Sequence, residues 1–238
     1  MPRPIRNSQF TIHNSQLLPR LYIALALLFL YAPILVMMLM AFNRSQLNEL
    51  PFHFDLVWFE RLAQNRRLIS ATLNSIILAV LTALTATALG TMAALALARY
   101  TFRGRQWLQA LLIPPITIPW LILAVAMLIM FFWLGVPRSL LTLYLGHVTI
   151  QLPYTILVVS ARLALPGILA AALFAFVISF DNFVISYFLA PPGVSTLPVE
   201  IYSAIRTGFT PEVNAISTLV FLVSAASVLL VGREIPLR

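Results

Sequence analysis

Residues 165–183 read LPGILAAALFAFVISFDNF, an apolar run that ends in a single carboxylate, Asp181. Between Leu163 and Val199, Asp181 is the only charged residue. A run of this length and composition is typical of a membrane-spanning helix. An ionised acid is expensive in hydrocarbon, so its side chain is expected to face protein or water. The stretch therefore predicts a membrane helix with a polar position close to a route through the bilayer.

The composition of the whole chain agrees with a membrane protein. Of 238 residues, 61% are hydrophobic and 9% are charged, which is far from the usual composition of a soluble domain. The net charge of +8 comes from arginines scattered between apolar runs, without the basic face or arm that nucleic-acid binding requires. The chain has no cysteine, which excludes disulfides, thiolate metal sites and cysteine nucleophiles.

Six runs contain no Asp, Glu, Lys or Arg: 21–43, 68–98, 106–137, 139–161, 163–180 and 213–232. Each has about the 20 residues that a helix needs to cross a bilayer. The run that begins at Leu163 reaches this length only when Asp181 is included. The runs are apolar on consecutive positions, unlike the alternating strands of a membrane barrel. We predict an all-α polytopic membrane protein with about six transmembrane helices, approximately at 20–42, 68–98, 107–135, 139–162, 165–189 and 213–232.

These helices form one predicted transmembrane domain, residues 20–238, which follows an N-terminal extension, residues 1–19, predicted to be disordered. The arginine distribution favours a cytoplasmic N-terminus. The segment from Arg44 to Arg67 then lies outside, where its mixture of charges and aromatic residues indicates either an interfacial amphipathic helix or a simple connector.

Two predicted helices carry internal signals. A dense pattern of Thr, Ala and Gly between Thr82 and Ala94 favours tight packing within one bundle over lining a pore. Pro114, Pro115 and Pro119 remove backbone donors and predict a bend or break in the third helix. That break either borders the transport pathway or serves packing alone.

We find no signature of a membrane-embedded enzyme. His13, His53 and His147 are isolated, and neither a hydrolase nor a metal-binding motif occurs. His147 and Gln151 lie one helical turn apart and are expected to hydrogen-bond to neighbouring helices. No glycine-rich phosphate-binding motif is present, so the sequence shows no nucleotide-binding motif of its own. We predict no catalytic, metal or cofactor site.

Interrupted helices at Pro114–Pro119 and near Asp181 are also typical of self-contained secondary transporters and channels. This class is the main alternative to the interpretation that the motifs below support. A membrane-embedded enzyme is the weaker alternative.

Several motifs carry a resemblance to a known family: YAPI (31–34), FN (42–43), NS (74–75), ARY (98–100), PPITIP (114–119), LPG (165–167), SFDNFVIS (179–186), FL (188–189), TLPV (196–199), IYS (201–203) and TPEVNA (210–215). From about Leu21 onward the chain resembles integral-membrane permease subunits of binding-protein-dependent ABC importers, specifically the spermidine/putrescine (polyamine) branch. The C-terminal third is the most specific part.

The resemblance implies a multi-pass subunit, not itself an enzyme, of an ATP-driven importer for a small cationic solute, most specifically a polyamine. It implies a bacterial inner (plasma) membrane location. The implied partners are a second permease, two ATP-binding-cassette ATPase subunits and a periplasmic or lipid-anchored solute-binding protein, together with membrane lipid.

One feature departs from that family. Its members carry a cytoplasmic loop with Glu-Ala-Ala and a glycine between helices four and five, and a short helix of this loop docks into the ATPase. Here Ser160–Ala164 runs directly into Leu165-Pro166-Gly167, which we expect to form a short turn. Three interpretations remain open: an uncoupled deletion product, a loop missing from the assembled sequence, or coupling through another segment such as Arg99 to Trp107.

Within the scheme that the resemblance implies, Asp181 lies in the outer part of helix five and neutralises a passing ammonium group. Neighbouring aromatic faces would add cation-π attraction; these belong to Phe180, Phe183, Tyr187 and Phe188. Alternatively, Asp181 caps a helix break or pairs with an arginine such as Arg206. Glu200 and Glu212 flank the last external loop, where they contact the binding protein or the incoming cation, or are simply solvated.

Overall fold

The computed structural model describes residues 17–161, 165–208 and 210–234, with side-chain surroundings between residues 19 and 226. Within these ranges the regular secondary structure is α-helical, joined by turns and loops, and one isolated β-bridge pairs Asn43 with Phe54. This confirms the all-α prediction. The chain divides into two compact units, one of Met1–Leu62 with Thr210–Arg238 and one of Ala63–Phe209. Most of the N-terminal extension predicted for residues 1–19 lies outside the described residues; only residues 17–19 are included, in the first helix.

The first unit contains helices α1 (Leu17–Met40) and α11 (Glu212–Glu234) and most of α2 (Val57–Gln64), and α1 packs against α11. None of the apolar window of α1 is buried within the protein, as expected for a helix that faces lipid. Helix α2 is amphipathic: Trp58 and Leu62 are buried, and the Trp58 Nε1 donates to the Asn43 carbonyl at 2.6 Å. The segment from Arg44 to Arg67 therefore contains an amphipathic helix and is more than a connector.

The core of the second unit consists of α3 (Arg66–Arg99), α7 (Leu140–Ala161) and α8 (Leu165–Phe180), which pack on one another. Many of the small residues of α3, including Thr82, Ala86 and Gly90, are buried against these neighbours. A side chain at Gly90 would place its Cβ 2.5 Å from the Thr155 Oγ1, and this hydroxyl donates to the Ala86 carbonyl at 3.0 Å. Close packing of the Thr/Ala-rich helix is thus confirmed.

The predicted proline break is also confirmed. The third predicted helix consists of α4 (Arg105–Leu111), α5 (Pro114–Thr117) and α6 (Trp120–Trp133). The direction of the chain changes by 113° between the segments Arg105–Thr117 and Trp120–Trp133. Pro119 stands at this change of direction, where its missing N–H and fixed φ prevent a continuous helix.

Among the described residues, three helices are long and apolar enough to cross a membrane, and two bent pairs extend this number to as many as five. The bent pairs are α4–α5 with α6, and α8 with α9 (Phe183–Leu189). Helix α11 corresponds to the sixth predicted span, and its described apolar part is Glu212–Ala226. Each predicted transmembrane helix therefore has a helical counterpart.

Two expectations about connections were wrong. Leu165-Pro166-Gly167 does not form a turn but opens α8, because Pro is well tolerated in the first helical turn; residues 162–164 lie outside the described part. The contacts His147–Ser179 and Tyr154–Phe174 show that α7 and α8 run antiparallel. The stretch between α9 and α11, predicted to be a loop, contains helix α10 (Leu197–Thr207).

Candidate functional site

Asp181 lies at a break between two helices. Helix α8 ends at Phe180, α9 begins at Phe183, and the two are bent by 56°. The Asn182 Oδ1 accepts from the Ile185 N–H at 3.0 Å and so caps α9. Asp181 itself is exposed.

Both alternative roles for Asp181 are thereby answered by the structure. Asn182 and not Asp181 provides the cap. Within the described ranges, the ion pairs are Arg44–Asp55 and Arg67–Glu200, so Asp181 does not pair with Arg206 there. The carboxylate stands exposed at an interruption of an apolar span.

Aromatic rings gather next to this break. The Phe183 ring lies 5.2 Å from that of Tyr187 and 4.8 Å from that of Tyr202, and Phe188 packs edge-on against Tyr187 at 5.5 Å. Three of the four predicted aromatic residues therefore come together. Phe180 does not join them, because it stacks on Phe176 one turn earlier in α8.

Tyr202, which comes from α10, was missed by the sequence interpretation. Helix signals were present in that segment: Pro198 in the first turn, Glu200 at the N-terminal end and Arg206 in the last turn. These signals predict the helix, but not the contact of Tyr202 with Phe183, which depends on how the helices pack.

A buried histidine holds the two sides of the break. His147 on α7 is fully buried, and its Nδ1 lies 2.9 Å from the Ser179 Oγ while its Nε2 lies 3.2 Å from the Ser186 Oγ. Ser179 belongs to α8 and Ser186 to α9, so one side chain links both helices to α7. This confirms the expectation that His147 bonds to neighbouring helices. The same expectation was wrong for Gln151, one turn away: it is also fully buried, and its amide has no partner among the described residues.

A polar cleft lies between the start of α3 and α10. The Arg67 Nε lies 2.7 Å from the Glu200 Oε2, and both residues line a cavity of about 490 Å³. Asn74 and Ser75 hold the segment that leads into α10, since the Asn74 Nδ2 donates to the Ser195 carbonyl and the Ser75 Oγ accepts from the Leu197 N–H.

The two loop acids have different surroundings. The expectation that Glu200 is a solvated loop acid is wrong, because it lies on a helix and is buried. Glu212 opens α11 in the other unit and is half-buried. No group of three or more His, Asp or Glu residues that could hold a metal occurs in the part of the chain that is described.

The chain is similar over most of its length to named transport proteins. It is 32% identical over 231 residues to the spermidine/putrescine transport system permease protein PotC of Haemophilus influenzae, covering 85% of this chain and 90% of that protein. It belongs to this family of ABC importer permeases. The putrescine transport system permease protein PotI of Escherichia coli K12 is 32% identical over 228 residues, with 81% of each chain covered. No family model matches the chain.

The fold agrees with this family. A bacterial ABC transporter involved in the import of the acidic polysaccharide alginate contains a chain that matches 98% of this one, with a TM-score of 0.62 and 13% identity. Because its sequence relatives are transport permeases, the protein is a transmembrane transport subunit and not an enzyme. Permease subunits of ABC importers work with other permease, ATPase and binding-protein subunits.

Proposed function

We propose that this chain is a permease subunit of a bacterial inner-membrane importer for a polyamine such as spermidine or putrescine. It would work with a second permease, two ATPase subunits and an external solute-binding protein. The names of its relatives support this substrate class. The structural observation that carries the proposal is the exposed Asp181 at a break in an otherwise apolar span.

The chemistry of the break suits an organic cation. A carboxylate neutralises an ammonium group, and the ring faces of Phe183, Tyr187 and Phe188 add cation-π attraction of about 0.5–2 kcal/mol each. Tyr202 enlarges this aromatic surface from α10. Rings attract a cation without fixing it as a buried ion pair would, and a pathway requires that the solute also leave. Phe180 supports the end of α8 by its contact with Phe176.

Energy coupling is the second part of the proposal. Helix α7 ends at Ala161 and α8 begins at Leu165, so too few residues lie between them to form a docking helix. ATP hydrolysis can drive a conformational change only through contacts that differ between two states. In this chain the segment from Arg99 to Trp107, which joins α3 to α4 and exposes 77% of Trp107, is the candidate contact.

The test is uptake of radiolabelled spermidine and putrescine by proteoliposomes that contain the complete importer, with and without ATP. Asp181→Asn should lower uptake about tenfold, equivalent to about 1.4 kcal/mol, while the subunits still assemble. The matched control is Glu60→Gln, which neutralises an exposed acid on α2 and should leave uptake unchanged. Unchanged uptake by the Asp181 variant would refute the role of that carboxylate.

Two further results would contradict the proposal as a whole. Uptake by this chain without its partners would identify a self-contained transporter. A complete importer that takes up neither polyamine would refute the substrate class, and uptake that requires partners but no ATP would refute ATP coupling.

A further inference from the structure

We propose that Glu200 forms a binding site for an ammonium group in the cleft between α3 and α10. Arg67 is a displaceable counter-ion that competes with the solute for this carboxylate. The inference rests on the proposed function because it takes the solute to be a cation. It adds a second carboxylate site, on α3 and α10, to the one at the break between α8 and α9.

The two members of this ion pair differ in burial. The Glu200 side chain is 9% exposed, whereas that of Arg67 is 73% exposed. A buried carboxylate is costly without a cation beside it, but an exposed arginine gives up its partner at little cost because solvent screens the interaction and the side chain regains its freedom. The negative charge is therefore fixed in the cleft and the positive charge is exchangeable.

The lining of the cleft favours an ammonium group over an anion. Ser70, Asn74 and Ser203 face the cavity beside Glu200. Because the Asn74 Nδ2 donates to the Ser195 carbonyl, its Oδ1 remains as an acceptor. An ammonium group has three donors and no acceptor, so one carboxylate with neutral oxygens around it matches its needs. A cavity of about 490 Å³ is in the range of small-ligand sites.

The ion pair is not required to attach α10. Two hydrogen bonds already connect this helix and the residues before it to α3: Asn74 to the Ser195 carbonyl at 2.9 Å, and the Leu197 N–H to the Ser75 Oγ at 2.8 Å. Leu197 is buried at the start of the helix. A pair that served only to hold α10 would duplicate these contacts, whereas an exchangeable counter-ion has a separate role.

The test is equilibrium binding of radiolabelled spermidine to the full-length chain in lipid nanodiscs. Arg67→Gln removes the competitor and should tighten binding about three- to fivefold. Glu200→Gln removes the carboxylate that binds the ammonium group and should weaken binding about tenfold. Arg66→Gln, which removes the same charge from the adjacent exposed position, should bind as the unaltered chain does.

The opposite directions of the two effects distinguish this site from a structural ion pair. If the pair only held the helices together, both variants would bind more weakly and both would unfold at a lower temperature. Weaker or unchanged binding by Arg67→Gln, unchanged binding by Glu200→Gln, or no binding by the unaltered chain would overturn the inference.

Uptake by the assembled importer, measured in parallel, separates the two proposals. Polyamine uptake together with equal binding by all variants would overturn this site and leave the proposed function standing. Binding in the expected order without uptake would support the site and refute the proposed function.

Discussion

Replacing His147 with leucine should loosen the break between α8 and α9. The His147 side chain lies within hydrogen-bond distance of the Ser179 hydroxyl on α8 and of the Ser186 hydroxyl on α9, and so links both helices to α7. Leucine fills a similar volume but makes neither bond. The variant therefore removes the polar link while leaving the surrounding apolar packing largely in place.

The magnitude follows from the two contacts. Polar contacts between helices in a membrane are worth about 0.6 kcal/mol on average and up to about 1.7 kcal/mol. Two such bonds, at 2.9 and 3.2 Å, together contribute about 1–2 kcal/mol. The 2.9 Å bond to Ser179 should account for the larger share, because its geometry is closer to the optimum.

Double-mutant cycles measure these contributions. The free energy of unfolding in bicelles would be determined for His147→Leu, for Ser179→Ala and Ser186→Ala, and for each histidine–serine double variant. Thr149→Val is the control, since Thr149 is exposed on α7 and bonds only within its own helix. Coupling energies of zero in both cycles would refute the idea that His147 holds the break.

Two further substitutions test the packing and the cap. Gly90→Ala should lower the free energy of unfolding by about 1–3 kcal/mol, because the added Cβ would lie 2.5 Å from the Thr155 Oγ1. Ala88→Val, on the exposed face of α3, is the control in the same thermal unfolding assay. Equal stability of both variants would contradict the close contact. Asn182→Ala removes the cap of α9 at a cost of about 1 kcal/mol and should speed hydrogen exchange of the Ile185 amide. Asn182→Ser keeps a capping oxygen and should preserve protection of this amide. Equal exchange rates in both variants would contradict the capping role.

Features that depend on neighbours along the chain were predicted well from the sequence. The apolar runs gave the long helices, Pro119 marked the bend of the third span, and the Thr/Ala pattern around Gly90 indicated a packed helix. Each of these follows from backbone chemistry or from residue size within one segment. The position of Asp181 at an interruption is of the same kind, since a charge within an apolar run is visible without knowledge of the fold.

Features that depend on α10 were not predicted. This helix is short and its composition is mixed, so hydropathy does not distinguish it from a loop. The burial of Glu200 and the contact of Tyr202 with Phe183 both follow from how α10 packs on α3 and α9. Such packing is a tertiary property, and the sequence signals within Leu197–Thr207 indicate only that a helix forms.

The antiparallel arrangement of α7 and α8 has a consequence for the order of assembly. The bond between His147 and Ser179 closes 32 residues of chain, that between Thr155 and Ala86 closes 69, and that between Asn74 and Ser195 closes 121. Loop closure costs more entropy as the loop grows, by about 1 kcal/mol over this range. The α7–α8 hairpin is thus the least demanding unit to form.

Helix α10 is at the other end of this order. The residues that lead into it make the longest-range of these contacts, and the helix itself buries only Leu197 and Glu200 among its residues. An element with little buried surface opens locally at low free energy while the rest remains folded. Local unfolding of α10 would leave the three-helix core intact. The helix that shapes the polar cleft is therefore expected to form last and to unfold first.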